Sequence, residues 1–176
     1  MRYPDERQKN MPAKKIVYMA LLTAIALIIF TVEAQIPNPI PIPGVKLGLA
    51  NVVTVYAMFT LGPAPTLMIL VCRVLLGSIF AGQMMSLLYS LGGGLLCFLS
   101  MLIMRKLVTL KQIWACSVVG AVFHNTGQII VAILITQTMG LIAYFPFLLV
   151  SGILAGLFTG LCAQNIVLRL SKNVVK

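Results

Sequence analysis

The sequence has very few acidic residues. Asp5, Glu6 and Glu33 are the only carboxylate side chains among 176 residues. An enzyme that acts on diphosphates through Mg²⁺ needs several acidic oxygens converging on the metal. The chain also lacks the Walker A pattern G-x-x-x-x-G-K-[ST], so it does not hydrolyse ATP by that route. We therefore expect neither a metal-dependent diphosphate enzyme nor an ATPase.

Metal-ligating and catalytic side chains are also scarce. His124 is the single histidine, and no acidic residue stands near it in the sequence to orient it as in a hydrolase triad. The four cysteines lie singly inside apolar runs, without the paired spacing of a zinc site or a disulfide framework. We interpret them as small buried hydrophobic residues and expect no metal, no cofactor and no enzymatic activity. They are Cys72, Cys97, Cys116 and Cys162.

Charged residues make up 9% of the chain, whereas hydrophobic residues make up 60% and the mean hydropathy is +1.05. A soluble domain carries about 25% charged residues, so this composition is typical of a membrane protein. The formal net charge of +10 comes mainly from three short basic clusters that flank apolar runs. Such clusters are topology signals rather than a surface for nucleic acid.

Six apolar runs approach or exceed the length needed to cross a hydrocarbon core about 30 Å thick. The second run is short for a full crossing, which predicts a tilted span, a locally thinned bilayer or a start nearer Val45. Proline at Gly62-Pro63 separates the second run from the third. The runs cover approximately residues 16–32, 47–61, 64–80, 84–104, 113–138 and 141–168.

Positive charge alternates with neutral connections along the chain. The N-terminal tail, the connection from Arg105 to Lys111 and the C-terminal tail are basic, whereas the connections at 81–82 and 139–140 carry no charge. Lys and Arg are concentrated in the cytoplasmic loops of membrane proteins. Six spans with both termini in the cytoplasm place all three basic segments on one side and leave Lys46 as the one basic residue of the outer connections.

The predicted fold is an all-α integral membrane protein, a six-transmembrane-helix bundle with its N- and C-termini inside. Residues 16–168 form a single membrane domain between cytoplasmic basic tails at 1–15 and 169–176. A signal peptide cleaved near Ala34 is the competing interpretation. It leaves five spans, and we favour six because the basic N-terminal tail, the basic connection and the basic C-terminal tail then all lie on the cytoplasmic side.

Alternating prolines follow the first run. Pro37, Pro39, Pro41 and Pro43 occupy every second position, a pattern that forbids a helix and favours a stiff extended segment. This apolar segment, residues 36–44, lies outside in the predicted topology. It is either a rigid spacer or a lid over a pocket in the outer half of the membrane, and the sequence leaves both open.

Polar side chains inside apolar runs are candidates for a binding site, because buried ionisable groups are costly in a membrane. Arg73 lies in the middle of the third run, where its guanidinium needs a carboxylate, backbone carbonyls or an anionic ligand. A salt bridge to Glu33, at the outer end of the first run, meets this need as well as a ligand does. The sequence leaves both alternatives open.

The fifth run contains the most polar stretch of any span. His124, Asn125 and Gln128 are close enough in the sequence to share one helical face, and they form either part of a ligand site or hydrogen bonds that hold helices together. On the second run, Asn51 lies below Lys46. These positions predict a pocket in the outer half that opens outward. Its predicted lining is Lys46, Asn51, Arg73, His124, Asn125 and Gln128.

Small residues are dense in the later runs. Gly152, Gly156 and Gly160 recur at every fourth position, a spacing that lets another helix approach closely. We therefore expect a packing stripe on the sixth helix.

The first run resembles a known group of transporter subunits. Its start at Lys14-Lys15 and its Ala20-x-x-x-Ala24 pair resemble the substrate-binding S-components of energy-coupling factor (ECF) transporters, small bacterial six-helix proteins. In that family an Ala-x-x-x-Ala pair on the first helix contacts the transmembrane coupling subunit. Two alanines one turn apart also leave a shallow groove for another helix. The resemblance implies that Ala20 and Ala24 dock a membrane coupling subunit with associated ATPases.

Three further segments are more specific. They are Val45-Lys46-Leu47-Gly48-Leu49-Ala50-Asn51, Phe59-Thr60-Leu61-Gly62-Pro63 and Phe123-His124-Asn125-Thr126-Gly127-Gln128. Together they are similar, over nearly the whole chain, to the Gx transporter family, often labelled heptaprenyl diphosphate synthase component I. The resemblance implies an S-component-like fold and membership of a transporter group, whereas the synthase label conflicts with the scarcity of carboxylates.

The function that we expect is a substrate-capturing subunit in the plasma membrane of a bacterium. It binds a small anionic or amphipathic molecule from outside, with isoprenoid- or quinone-related compounds as one class suggested by the family label, and delivers it through a separate energised module. One alternative is a noncatalytic membrane partner in prenyl diphosphate or quinone metabolism. Another is a stand-alone facilitator or proton-coupled carrier that uses His124, which the absence of intramembrane Asp and of evident inverted repeats disfavours.

Overall fold

A computed structural model of the chain describes residues 12–35, 48–82 and 84–174. These ranges are almost entirely helical and contain no strand, which confirms the all-α prediction for them. Within these ranges, proline falls only in the first turns of helices, where its missing N–H has no intrahelical partner to lose. The helices are α1 (Pro12–Gln35), α2 (Asn51–Thr60), α3 (Pro63–Ala81), α4 (Met84–Met104), α5 (Ile113–Thr136) and α6 (Phe145–Val174), with short 3₁₀ helices at Leu110–Gln112 and Met139–Tyr144.

Five helices of the described ranges are long and apolar enough to cross a membrane. These helices are α1, α3, α4, α5 and α6. Each overlaps one predicted apolar run, and most of the helix ends lie within a few residues of the ends of that run. Large hydrophobic side chains are exposed along α1 and α6 in particular, as expected of helices that face lipid. These features identify a multi-pass membrane protein.

The second helix is shorter than the predicted run at 47–61, and that prediction is corrected here. α2 has 10 residues, or about 15 Å, half the thickness of the hydrocarbon core. Gly48, with a φ of +81°, precedes its start, and Gly62, with a φ of +88°, follows its end. Nearly every side chain of α2 is buried, so this half-length helix packs inside the bundle rather than against lipid.

α1 and α3 run in the same direction. The ring of Phe30, near the end of α1, approaches Gly77, near the end of α3, so closely that an added Cβ on Gly77 would lie 3.0 Å from it. The hydroxyls of Tyr18 and Tyr56 lie 2.5 Å apart, which brings the early part of α1 against the later part of α2. The amide of Gly48, before α2, contacts Glu33 near the end of α1, so α2 runs in the direction opposite to α1.

α4, α5 and α6 alternate in direction. The backbone amide of Trp114, at the start of α5, donates to the side-chain oxygen of Gln164, late in α6, at 3.4 Å. An added Cβ on Gly62, after α2, would lie 3.9 Å from Nη1 of Arg105, after α4. One face of the bundle thus contains the α2–α3 turn, the end of α4, the start of α5 and the later part of α6.

The predicted packing stripe on the sixth helix is confirmed. An added Cβ on Gly156 would lie 2.8 Å from the Cβ of Ala121, and one on Gly160 would lie 2.7 Å from the Cβ of Ser117. Distances this short leave no room for a side chain, so α6 packs on α5 almost backbone to backbone. This close contact fixes the rotation of α5, which carries three of the polar residues described next, His124, Asn125 and Gln128.

Candidate functional site

A small cavity lies where α1, α3, α4, α5 and the turn before α2 converge. Its volume is about 20 Å³, enough for about one water molecule, so a larger ligand needs the lining elements to move apart. The lining is polar on several sides and buried in a largely apolar bundle. It consists of Phe30, Glu33, Gly48, Arg73, Val74, Ser90, His124 and Gln128.

Arg73 is the positive charge of the cavity. It is 5% exposed, and its Nη2 donates to Oδ1 of Asn51 at 3.2 Å. Its Nε is buried without a hydrogen-bond partner. A guanidinium has five N–H donors and no acceptor, so Arg73 retains a donor for a group that the described residues do not supply.

Glu33 is the negative charge of the cavity. Its Oε1 accepts a hydrogen bond from the amide of Gly48 at 2.6 Å, and the residue is 5% exposed. No ion pair joins Glu33 to Arg73 among the residues that the structure describes, although both line the same space. The salt bridge that the sequence left open is therefore not formed.

Gly48 holds the turn that closes one side of the cavity. Its φ of +81° is in the region that favours glycine, and an added Cβ would lie 2.9 Å from Nδ2 of Asn51 and 3.5 Å from the ring of His124. Both conformation and space therefore require glycine here. The position also brings the start of α2 against α5.

α5 contributes His124 and Gln128 to the cavity. Nδ1 of His124 and Oε1 of Gln128 are buried without hydrogen-bond partners. Their helix is pressed against α4 at Gly93, where an added Cβ would lie 2.7 Å from the carbonyl oxygen of His124 and 2.8 Å from Cγ of Gln128. Buried polar atoms without partners are uncommon in folded proteins, and two of them in one cavity indicate a site that another molecule completes.

Asn125 lies away from the cavity. Its amide nitrogen donates to the carbonyl oxygen of Leu148 on α6 at 2.6 Å, next to Gly152. For this residue the alternative of an interhelical hydrogen bond fits, because its side chain connects α5 to α6. Asn125 is not among the residues that line the cavity, since one helical position from His124 rotates the side chain by about 100°.

The structure brings together most of the predicted pocket and adds residues that the sequence did not indicate. Arg73, His124 and Gln128 line one cavity, and Asn51 is hydrogen-bonded to Arg73. Lys46 and the proline segment at 36–44 lie outside the described residues. Ser90 on α4 was missed as a lining residue, because a single serine in an apolar run gives no signal of its own.

Ala20 and Ala24 lie on the exposed side of α1. Val17, Leu21 and Ile28 are exposed on the same side, so this stripe has no partner within the described bundle. Within the described ranges, no group of three or more His, Cys, Asp or Glu residues is placed to hold a metal ion.

The sequence model of the family described as heptaprenyl diphosphate synthase component I matches residues 22–166. The chain belongs to that family. The match covers α1 from Leu22 onward, all of α2 to α5 and most of α6, and it includes every residue that lines the cavity. It confirms the family resemblance given by the segments around Gly48, Gly62 and His124. No curated protein and no solved structure matches the chain.

The family description names a component of a synthase, and that name assigns no chemistry to this chain. Ala24 falls within the matched range, whereas Ala20 lies just before it. The match to the family model therefore includes every residue that lines the cavity, but only Ala24 of the alanine pair.

Proposed function

We propose that this family member is a substrate-binding membrane subunit that captures a small molecule with an anionic group in the cavity around Arg73. The observation that carries the proposal is a buried guanidinium with one neutral hydrogen-bond partner, no ion pair among the described residues and an unused Nε. A bound anionic group supplies an acceptor for this Nε.

The energetics favour a ligand over a purely structural role. An arginine in a membrane helix costs about 2.5–3.5 kcal/mol on the insertion scale. Its hydrogen bond to Asn51 returns about 1.5–3 kcal/mol, as a hydrogen bond to a charged group. An anion on Nε adds to this return, because charge-assisted hydrogen bonds are about twice as strong as neutral ones.

The proposed topology has six crossings with both termini in the cytoplasm. The parallel packing of α1 and α3 supports it, because the chain between them has to cross back. Arg105 lies on the same face as the late part of α6, which agrees with the clustering of basic residues in the cytoplasm. Glu33 is near the opposite end of α1, so the cavity is in the outer half and receives its ligand from outside.

The proposed partner is a membrane coupling subunit with associated ATPases, docked on the stripe that contains Ala20 and Ala24. Support comes from the exposure of this stripe on α1 and from the resemblance to S-components. Two small residues one turn apart permit close approach of another helix. The proposed location is the plasma membrane of a bacterium.

The proposed function is tested by mass spectrometry of small molecules retained by the detergent-purified protein. Arg73→Gln should lower retention by more than tenfold, about 1.4 kcal/mol. Arg169→Gln is the matched control, because it removes the same charge from an exposed position on α6 and should retain as much as the unchanged protein. Equal retention by both variants would reject the cavity as the binding site.

A second candidate follows from the description of the family. In it, the chain is a noncatalytic membrane partner of a prenyl diphosphate synthase. Affinity purification of the tagged chain from its native membranes separates the two: a coupling subunit with ATPases supports the transporter, and a soluble prenyl diphosphate synthase subunit supports the second candidate.

A further inference from the structure

The cavity contains both signs of charge, and they come from different helices. Glu33 on α1 and Arg73 on α3 are each 5% exposed, and both line the cavity without forming an ion pair among the described residues. Each is held by a neutral group instead, the amide of Gly48 and the side chain of Asn51. Two buried charges that are not paired with each other cost several kcal/mol each unless other groups compensate them.

The unused atoms around the cavity differ in hydrogen-bonding character. Nε of Arg73 is only a donor, Oε1 of Gln128 is only an acceptor, and Nδ1 of His124 can be either; all three are buried and have no hydrogen-bond partner among the described residues. A ligand that satisfies both Arg73 and Gln128 therefore presents an acceptor towards α3 and a donor towards α5. A simple anion meets only the first requirement.

We propose that the ligand is a small zwitterion, whose anionic group binds Arg73 and whose ammonium or protonated amine binds Glu33 and Gln128. This inference rests on the proposed function and adds the second charge to it. A ligand with only an anionic group leaves Glu33 unpaired and is repelled by it, and a ligand with only a cationic group is repelled by Arg73. A zwitterion pairs with both residues and leaves the site without net charge.

The experiment compares Glu33→Gln with Arg73→Gln. Glutamine at 33 keeps a carbonyl oxygen that accepts the amide hydrogen of Gly48, so the substitution removes the charge with little change to the turn. A plain anion should bind Glu33→Gln as well as or better than the unchanged protein, because a repulsive charge is lost. A zwitterion should bind both variants at least about tenfold more weakly, because each variant removes one partner.

The measurement is the amount and identity of the small molecules that each purified variant retains, by tandem mass spectrometry, per mole of protein that elutes as a monodisperse peak. Arg169→Gln is again the control and should retain as much as the unchanged protein. The zwitterion is supported if the molecule enriched by the unchanged protein has an acidic and a basic group and is lost from both cavity variants.

One result would reject only the zwitterion, and another would reject the proposed function together with it. If Arg73→Gln loses the molecule while Glu33→Gln retains it, the ligand is a plain anion, and the zwitterion is rejected while the proposed function stands. If the unchanged protein retains no molecule in greater amount than Arg73→Gln does, the proposed function fails and the zwitterion fails with it. The chemical groups of the molecule retained by the unchanged protein decide the question even where Glu33→Gln does not fold, since a molecule without a basic group rejects the zwitterion.

Discussion

For Arg73, one interpretation of the sequence was a structural ion pair, and the structure shows a different contact. A buried salt bridge with Glu33 was an equal alternative in the sequence, because both residues fall at compatible depths. In the structure the guanidinium contacts Asn51 instead. The difference matters for stability, since breaking a buried ion pair costs about 3–5 kcal/mol, whereas losing one hydrogen bond to a charged group costs about 1.5–3 kcal/mol.

The first residue-scale prediction concerns the stability of Arg73→Gln. Without a salt bridge to break, and with the cost of a buried charge removed, the substitution should change the free energy of unfolding by less than about 1.5 kcal/mol. Thermal unfolding of the ligand-free protein in detergent measures this change. A loss of 3 kcal/mol or more, on the scale of a broken buried pair, would restore the salt-bridge interpretation.

The second residue-scale prediction concerns Gly48→Ala. A left-handed φ costs alanine about 1–2 kcal/mol, and the added Cβ also crowds Nδ2 of Asn51 at 2.9 Å. Gly82→Ala is the matched control, because Gly82 has a φ of +62° and nothing within 4 Å of an added Cβ. Gly48→Ala should therefore destabilise the protein more than Gly82→Ala and should also weaken ligand retention. Equal effects on stability and retention would show that crowding at Asn51 does not matter.

At the scale of elements, α5 links the two halves of the bundle. Gly93 of α4 contacts the side of α5 that carries His124 and Gln128, while Gly156 of α6 contacts the side that carries Ala121. Because both contacts are close, α5 has little freedom to rotate. The orientation of the polar cluster therefore depends on glycines that are not themselves part of the cavity.

This contact leads to a prediction for Gly156→Ala. The added methyl group would lie 2.8 Å from the Cβ of Ala121, and overpacking of this kind costs about 1–3 kcal/mol. Gly140→Ala is the control, because only Thr138 lies within 4 Å there, at 3.9 Å. Thermal unfolding should show a clear loss for Gly156→Ala and almost none for Gly140→Ala. An unchanged melting temperature for Gly156→Ala would contradict the close packing of α5 and α6.

A second element-scale prediction concerns the exposed stripe of α1. Ala20→Trp or Ala24→Trp should leave the fold intact, because both side chains are exposed, and should abolish co-purification with the coupling subunit while sparing ligand retention. Ile28→Trp, on the same exposed side one turn beyond Ala24, is the control and should keep the complex. If the double substitution at 20 and 24 left complex formation unchanged, the stripe would not be the docking surface.

The sequence predicted the helices better than the details of the site. Long apolar runs locate α1 and α3 to α6, because only a helix satisfies the backbone of a chain in lipid. The second run was predicted to be short for a crossing, but α2 is shorter still, because its ends depend on the left-handed backbone at Gly48 and Gly62. Asn125 and Gln128 were assigned to one face, but packing against Gly152 places Asn125 towards α6. Side-chain direction in a bundle depends on the neighbouring helices, which the sequence does not specify.

At the scale of the whole molecule, the directions of the helices place the cavity near one end of the bundle and Arg105 near the other. The proposed orientation predicts that reporters fused at Lys176, or inserted beside Arg105, are cytoplasmic, whereas a reporter beside Gly82 is external. The reason is the concentration of Lys and Arg in cytoplasmic loops. A reporter at Lys176 that proved external would contradict the six-crossing topology.

The central claim, that the cavity around Arg73 binds the ligand, is tested most directly by an experimental structure of the protein with the molecule it retains. The account predicts an anionic group of that molecule at hydrogen-bond distance, about 2.7–3.2 Å, from Nε of Arg73, with its remaining polar atoms facing Glu33 and Gln128. A molecule bound elsewhere, with Arg73 still contacting only Asn51, would contradict the claim.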